Sequence, residues 1–321
     1  MYGALIIGYL FLGGASAGGF FAMAAWSLAF RRRASAALPT LNPSHSSPSF
    51  GSGARSFLES RTAAPDTQLT RLTQAFGDLQ ARVYALCLAL LVLAILFLFW
   101  DLGSPQRVLL ILLHPHATVL TFGALVLATD TVLGALLVGA TLLKLPFLQG
   151  RVKRALEILV CIVSLAVMAY TGVFLLGNVG VAFWSTWAIV GLFVCSSLSC
   201  GLTLMLLVDY FIQDQTLLLR AARPLQKWHL VCLAGEALFV ALFVISAAHN
   251  PDASGALEIL LSPKMLSTAV VGVLGFGVVI PAASETFALL KLDCRTIPAS
   301  DAICLAGGLI LRFVIIACGV H

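Results

Sequence analysis

The sequence predicts an all-α integral membrane protein: eight transmembrane helices forming two parallel-related four-helix bundles, with both termini extracytoplasmic. Three observations lead there. Hydrophobic residues make up 60% of the 321 and charged residues only 10%. Soluble domains carry about 25% charged residues, and so few charges cannot cover a water-facing surface, whereas helices solvated by lipid need none. Eight apolar stretches are each close to the ~20 residues that a bilayer-spanning helix requires. Finally, Lys and Arg are distributed very unevenly between the loops that join those stretches.

The predicted spans are 4–30, 83–100, 117–143, 153–176, 186–208, 229–248, 265–290 and 302–320. The first lacks the basic flank that precedes a cleaved signal, and Arg31, Arg32 and Arg33 follow it instead. Reading the loops alternately, one side collects sixteen basic residues. They fall in four groups: Arg31 to Arg82, Lys144 to Arg154, Arg220 to Lys227, and Lys291 with Arg295. The opposite side has Arg107 and Lys264, and Arg312 lies within the last span. Cytoplasmic loops retain positive charge, so the basic side is expected to be cytoplasmic and both termini outside. The net charge of +5 follows from the same bias and calls for no nucleic-acid partner.

The first basic-side connection, 31–82, is expected to be a long cytoplasmic loop. Residues 34–65 are rich in Ser, Ala and Pro and read as flexible. Beyond them Leu69, Leu72, Phe76, Leu79 and Val83 recur at helical spacing behind Asp66, as an interfacial helix leading into the second span would require. Two short stretches repeat. Ile111-Leu-Leu-His-Pro115 matches Ile259-Leu-Leu-Ser-Pro263, and Leu10-Phe-Leu-Gly-Gly-Ala-Ser-Ala-Gly-Gly19 matches Leu192-Phe-Val-Cys-Ser-Ser-Leu-Ser-Cys-Gly201. The expected units are therefore 1–180 and 181–321, parallel repeats related by an axis along the membrane normal. Their small-residue runs let helix backbones approach closely.

Ionisable groups within membrane spans are costly and point to function. Near the non-basic face lie Tyr9, Asp101, His114, His116, Tyr170, Asn178 and His249; deeper or toward the basic side lie Asp130, Glu157, Glu236, Glu285 and Arg312. The eight cysteines show no CxxC spacing, so no cluster is expected in this chain. The six histidines do not face one another in pairs inside the spans as a bis-histidine haem needs, with His229 and His249 at opposite ends of one helix. A quinone headgroup needs less: one or two hydrogen-bonding groups at its carbonyls, a proton-exchanging neighbour and an apolar channel. Tyr, His and Asp near one face supply these, with Tyr170 against the headgroup and Asp101 or His116 exchanging its proton. At ~1.5 Å per residue Arg312 would lie about 16 Å from the basic-side start of its helix. There it should face the interior and a carboxylate, Asp130 and Glu236 being at neighbouring depths. Those carboxylates, with Glu157 and Glu285, form either a structural ion pair or a proton relay. A secondary transporter with eight helices and buried carboxylates is the alternative; it expects helices broken near the midplane.

Several segments are similar to a known family. Tyr9–Gly19 resembles the glycine-rich first helix of the NrfD/PsrC (polysulfide reductase membrane subunit) family, and Asp101-Leu-Gly-Ser-Pro-Gln-Arg107 resembles its DLGxPxR segment. Tyr170-Thr-Gly172 with Phe183-Trp184 resembles its YTG and FW, and Gly307–Arg312 with Ala317-Cys-Gly319 resembles its last helix. The resemblance implies a quinone-interacting anchor without prosthetic groups, using menaquinone or ubiquinone in a prokaryotic cytoplasmic membrane. It also implies an extracytoplasmic four-cluster iron–sulfur subunit serving a molybdopterin or multihaem catalytic subunit. Carried onto this chain, it assigns Asp101, Arg107 and Tyr170 to the site. The related anchor of dimethyl sulfoxide reductase has His where this chain has Asp101, and the first loop is longer here than is usual for the family.

Overall fold

The computed structural model describes residues 4–37, 53–102, 119–143, 145–178, 180–210, 215–290 and 298–319. Among these there is no strand. The helices are α1 (Ala4–Ala37), α2 (Gly53–Leu102), α3 (Val119–Thr141), α4 (Arg151–Leu176), α5 (Ala188–Tyr210), α6 (Gln215–His249), the short α7 (Ser254–Leu261), α8 (Pro263–Leu290) and α9 (Pro298–Gly319). All but α7 contain a stretch long and apolar enough to cross a membrane, which gives eight spans. Seven of them lie within five residues of the predicted bounds, because a run of lipid-compatible side chains ends where charge begins, while the second begins at Thr73 instead of residue 83.

The connection 31–82 departs from expectation. The first span continues as helix to Ala37, and α2 starts at Gly53 and runs unbroken past Pro65 to Leu102. The segment Ala54-Arg-Ser-Phe-Leu-Glu-Ser-Arg-Thr-Ala-Ala64 explains this: despite its serines it contains mostly good helix formers. The apolar stripe expected after Asp66 does face inward at Phe76, Leu79 and Val83. Residues 38–52 lie outside the described part, as does the first member of the repeated pair, 111–115, while its match 259–263 joins α7 to α8.

Helices in lipid gain little from hydrophobic burial against one another and must pack by close contact and polar bonds. The glycines provide that contact. α1 and α5 cross backbone to backbone at the two matched small-residue runs: a Cβ at Gly18 would overlap the Ser197 carbonyl, and one at Gly201 would overlap Gly18 and Gly19. α8 meets α9 in the same way at Gly277 and Gly307, and Gly172 lies against the Val190 backbone of α5. Two apolar cores flank the first crossing. One is built mainly from α1 to α5 around Phe20, Tyr84, Leu91 and Met168. The other joins the end of α4 with α5, α6, α8 and α9 around Trp184, Phe193, Leu311 and Ile315. Trp184 seats its ring on Gly319, leaving no room for a side chain there, and its Nε1–H donates to Ile315 O at 3.1 Å.

The centre of α8 is irregular. Thr268–Val279 is π-helical and includes three glycines. Pro281 has no N–H to offer the carbonyl four residues earlier, which is Gly277 O, and the Cys304 thiol donates to that oxygen at 3.8 Å. The helix stays continuous through this segment.

The α1–α5 crossing should respond sharply to one methyl group. Gly201→Ala is expected to cost about 1–3 kcal/mol, the usual range for overpacking a site that cannot relax. Gly77→Ala on α2, where nothing lies within 4 Å of the added carbon, should be neutral or stabilising by up to about 1 kcal/mol. Thermal unfolding midpoints of the purified variants compare the two, and equal midpoints would contradict the crossing.

Candidate functional site

The ionisable and hydroxyl side chains fall into four groups along the membrane normal. At the non-basic ends of α1 and α4, Tyr9 and Tyr170 lie together. Tyr9 is five residues from the start of α1 and Tyr170 six from the end of α4, about 7–9 Å from each helix end. Both rings are buried and their phenols interact electrostatically. The Tyr170 ring sits between Phe122 at 6.5 Å and Phe174 at 6.0 Å, over Gly123, where any side chain would overlap it. Among the described residues no partner takes either hydroxyl. Asp101 ends α2 on the same face and is exposed; Arg107, His114 and His116 lie outside the described residues.

At middle depth, Arg312 is fully buried. Its Nε donates to Leu10 O at 3.2 Å, Nη1 to Gly308 O at 2.8 Å and Ser196 Oγ at 3.2 Å, and Nη2 to Ser197 Oγ at 2.9 Å. The guanidinium also lies 5.6 Å from the Phe11 ring and 5.4 Å from Phe193, the two phenylalanines at matching places in the repeated motif. Gly14 leaves room for it, since a Cβ there would come within 2.8 Å of Nη2. The expected direct carboxylate partner is not found among the described residues, whose ion pairs are Arg31–Glu157 and His229–Glu285. Instead Glu236 reaches Arg312 through the shared Ser196 hydroxyl. Carbonyls, hydroxyls and ring faces together do the work of a counter-ion. Because α9 starts at Pro298, Arg312 is also about 21 Å along its helix, farther than the 16 Å expected. Asp130, in the other half, is fully buried and accepts from Ser164 at 2.8 Å, while its Oδ2 has no partner.

Two groups lie toward the basic ends. In the first half, Glu157 Oε1 accepts from Ser27 at 2.9 Å, Gln80 at 2.9 Å and Arg31 at 3.2 Å. Gln80 in turn accepts from Lys153 at 2.8 Å and contacts Tyr84 at 3.4 Å. In the second half, His229 Nδ1 donates to Glu285 Oε1 at 2.5 Å, and its Nε2 faces Ser199 at 2.9 Å and Thr203 at 3.2 Å. Cys304 and the buried Asp301 complete this group.

The structure thus joins Tyr9 with Tyr170, and Glu236 with Arg312, but places Asp130, Glu157 and Glu285 in three separate groups. Sequence reasoning passed over Ser27, Gln80, Tyr84 and Lys153, and took His229 for a helix end. A signal was present: Ser196, Ser199 and Thr203 are spaced to share one face of α5, as are Gln80 with Tyr84 and Lys153 with Glu157.

No curated protein matches the chain. A family model, that of polysulphide reductase NrfD, matches residues 69–321. Members of that family are membrane subunits of quinone-linked oxidoreductase complexes, and they typically partner with an iron–sulfur subunit. On that match, which takes in seven of the eight spans, the chain belongs to the polysulphide reductase NrfD family.

Proposed function

We propose that the chain is the quinone-interacting anchor of a multisubunit respiratory oxidoreductase in a prokaryotic cytoplasmic membrane, with both termini outside. The observation that carries this is the buried Tyr9–Tyr170 pair, two phenols near one membrane face with apolar walls and hydroxyls not spent on described neighbours. Such a pair of phenols can donate hydrogen bonds to quinone carbonyls while the tail lies among lipid-facing side chains. Oxidation of one quinol releases two electrons and two protons. The electrons pass to the nearest cluster of a four-cluster iron–sulfur subunit docked outside, and through it to a molybdopterin or multihaem catalytic subunit; reduction runs the same steps backward. The asymmetry of Lys and Arg supports that orientation. Single Ser104→Cys and Ser254→Cys variants should react with an impermeant thiol reagent in intact cells lacking the partner. Reaction only after lysis reverses the topology.

In this reading Tyr170 holds the headgroup, Tyr9 closes the pocket, Asp101 or His116 exchanges the proton, and Arg107 belongs to the same face. Tyr170→Phe removes one hydrogen bond and should weaken quinol binding by about 0.5–1.5 kcal/mol, roughly a twofold to thirteenfold rise in KM. Asp101→Asn should lower kcat more than it raises KM. Quinol-linked activity that is unchanged in both variants moves the site elsewhere.

Of the deeper carboxylates, Asp130 and Glu236 suit stations of a proton relay from the basic side, with Arg312 setting the local field; Glu157 is bonded to Arg31 and Glu285 to His229. A carboxylate already bonded to a cation would be structural, but Asp130 has only Ser164, and Glu236 is separated from Arg312 by a hydroxyl. Asp130→Asn and Glu236→Gln in the complex, reconstituted into liposomes, should both assemble and move less charge per electron. Full turnover with undiminished charge movement would sink the relay.

A further inference from the structure

The group around His229 carries an internal inconsistency of charge, and its hydrogen bonds show where the inconsistency lies. Thr203 has one hydrogen, which it gives to Ser199 O at 2.9 Å or Cys304 Sγ at 3.5 Å. Its oxygen then lies toward His229 Nε2 with no hydrogen to give, while Nδ1 donates to Glu285. Ser199 Oγ, 2.9 Å from Nε2, either accepts its hydrogen or donates one to it, so the imidazole carries at most one positive charge. That charge suffices for Glu285 alone. Among the described residues Asp301 is then a second carboxyl with no cation to itself: it is 3% exposed, interacts electrostatically with both His229 and Glu285, and its Oδ2 has no partner there. Glu285 is 1% exposed and its Oε2 is likewise without a partner.

Among the described residues, the surrounding elements do not remove the imbalance. α5 contributes Cys200 and, nearer its basic end, Asp209; α6 contributes Cys232 and Glu236; α9 contributes Cys304, while its Arg312 is engaged with Glu236. Lys227 is exposed. Among the described residues, no three His, Cys, Asp or Glu side chains are arranged to hold a metal ion. A buried carboxylate with no counter-ion costs several kcal/mol, and the cheapest remedy is a proton.

We infer that His229, Glu285 and Asp301 form a proton-binding site in the second half of the chain. It holds one proton beyond the His229–Glu285 pair, on an orphan carboxyl oxygen of Asp301 or Glu285. The site begins near the basic ends of α6, α8 and α9, and the Thr203, Ser199 and Ser196 hydroxyls lead from it along one face of α5 toward Glu236. It is where a relay in this half would take up its proton, but its occupancy does not depend on quinone chemistry.

Infrared spectroscopy of the purified full chain at neutral pH, without quinone, tests this directly. The carbonyl band of protonated carboxyls, identified by its shift in D2O, should lose intensity equal to one carboxyl in Asp301→Asn. It should lose the same in Glu285→Gln, because either change leaves a single carboxylate that pairs with His229. Glu258→Gln, on the exposed face of α7, should leave the band as it is. The two informative substitutions are on different helices, so failure of one to fold leaves the other to decide. A band undiminished in a folded Asp301→Asn or Glu285→Gln protein overturns the site, whatever the Tyr170 variants show about quinol.

Discussion

The backbone contact of α1 with α5 at Gly18 and Gly201 is the constraint on which the rest of the structure depends. Lipid supplies no hydrophobic drive to bring two apolar helices together, so the approach has to come from shape. Two glycines opposite one another remove the side chains that would hold the axes apart. Once the helices touch, Leu10 O, Ser196 and Ser197 come close enough to surround a single guanidinium, and Phe11 and Phe193 flank it. Arg312 in bare lipid would cost at least ~2.5–3.5 kcal/mol; here its donors are met by carbonyl and hydroxyl oxygens. The residue then ties α9 to both helices of the crossing. Packing and polar bonding therefore reinforce each other at one place, and neither is available without the other.

Much of this was legible in the sequence, for identifiable reasons. The spans followed from composition, since a lipid-facing helix has no other way to look. The matched runs Leu10–Gly19 and Leu192–Gly201 predicted close packing, and they pack on each other. The extent of α2 was misread because Ser and Pro near its start outweighed the helix-forming Ala, Leu, Glu and Arg between them. At Arg312, a search for the nearest carboxylate missed that serines and ring faces can satisfy a cation between them. His229 was dismissed because one histidine at a helix end carries no signal alone; its meaning comes from Glu285 and Asp301, distant in sequence and brought in by α8 and α9.

The polar groups are not spread evenly along the membrane normal. Near the non-basic face the buried ionisable groups described are the phenols of Tyr9 and Tyr170, with Asp101, His249, Asp252, Glu258 and Lys264 exposed, while both basic-side groups combine buried carboxylates with nitrogen bases. Between them the polar contacts are few, and in the second half they follow the hydroxyl face of α5. A protein that only had to span the bilayer would have no reason to retain such groups, because each has to be satisfied internally.

The two basic-side groups occupy similar depths in the two halves, and their charge balance has opposite sign. Glu157 is met by Arg31 directly and by Lys153 through Gln80, two cations for one carboxylate. Among the described residues the second group has one histidine for Glu285 and Asp301. Electrostatics gives these arrangements different capacities. A group with surplus fixed cations holds its carboxylate in place and repels a further positive charge. A group with surplus carboxylate attracts one, and inside a low-dielectric helix bundle the smallest available cation is the proton. If an ancestral duplication placed equivalent polar groups in both halves, then divergence has left the first suited to fastening α1, α2 and α4 together. The second, with one histidine for two carboxyls among the described residues, is suited to holding a proton.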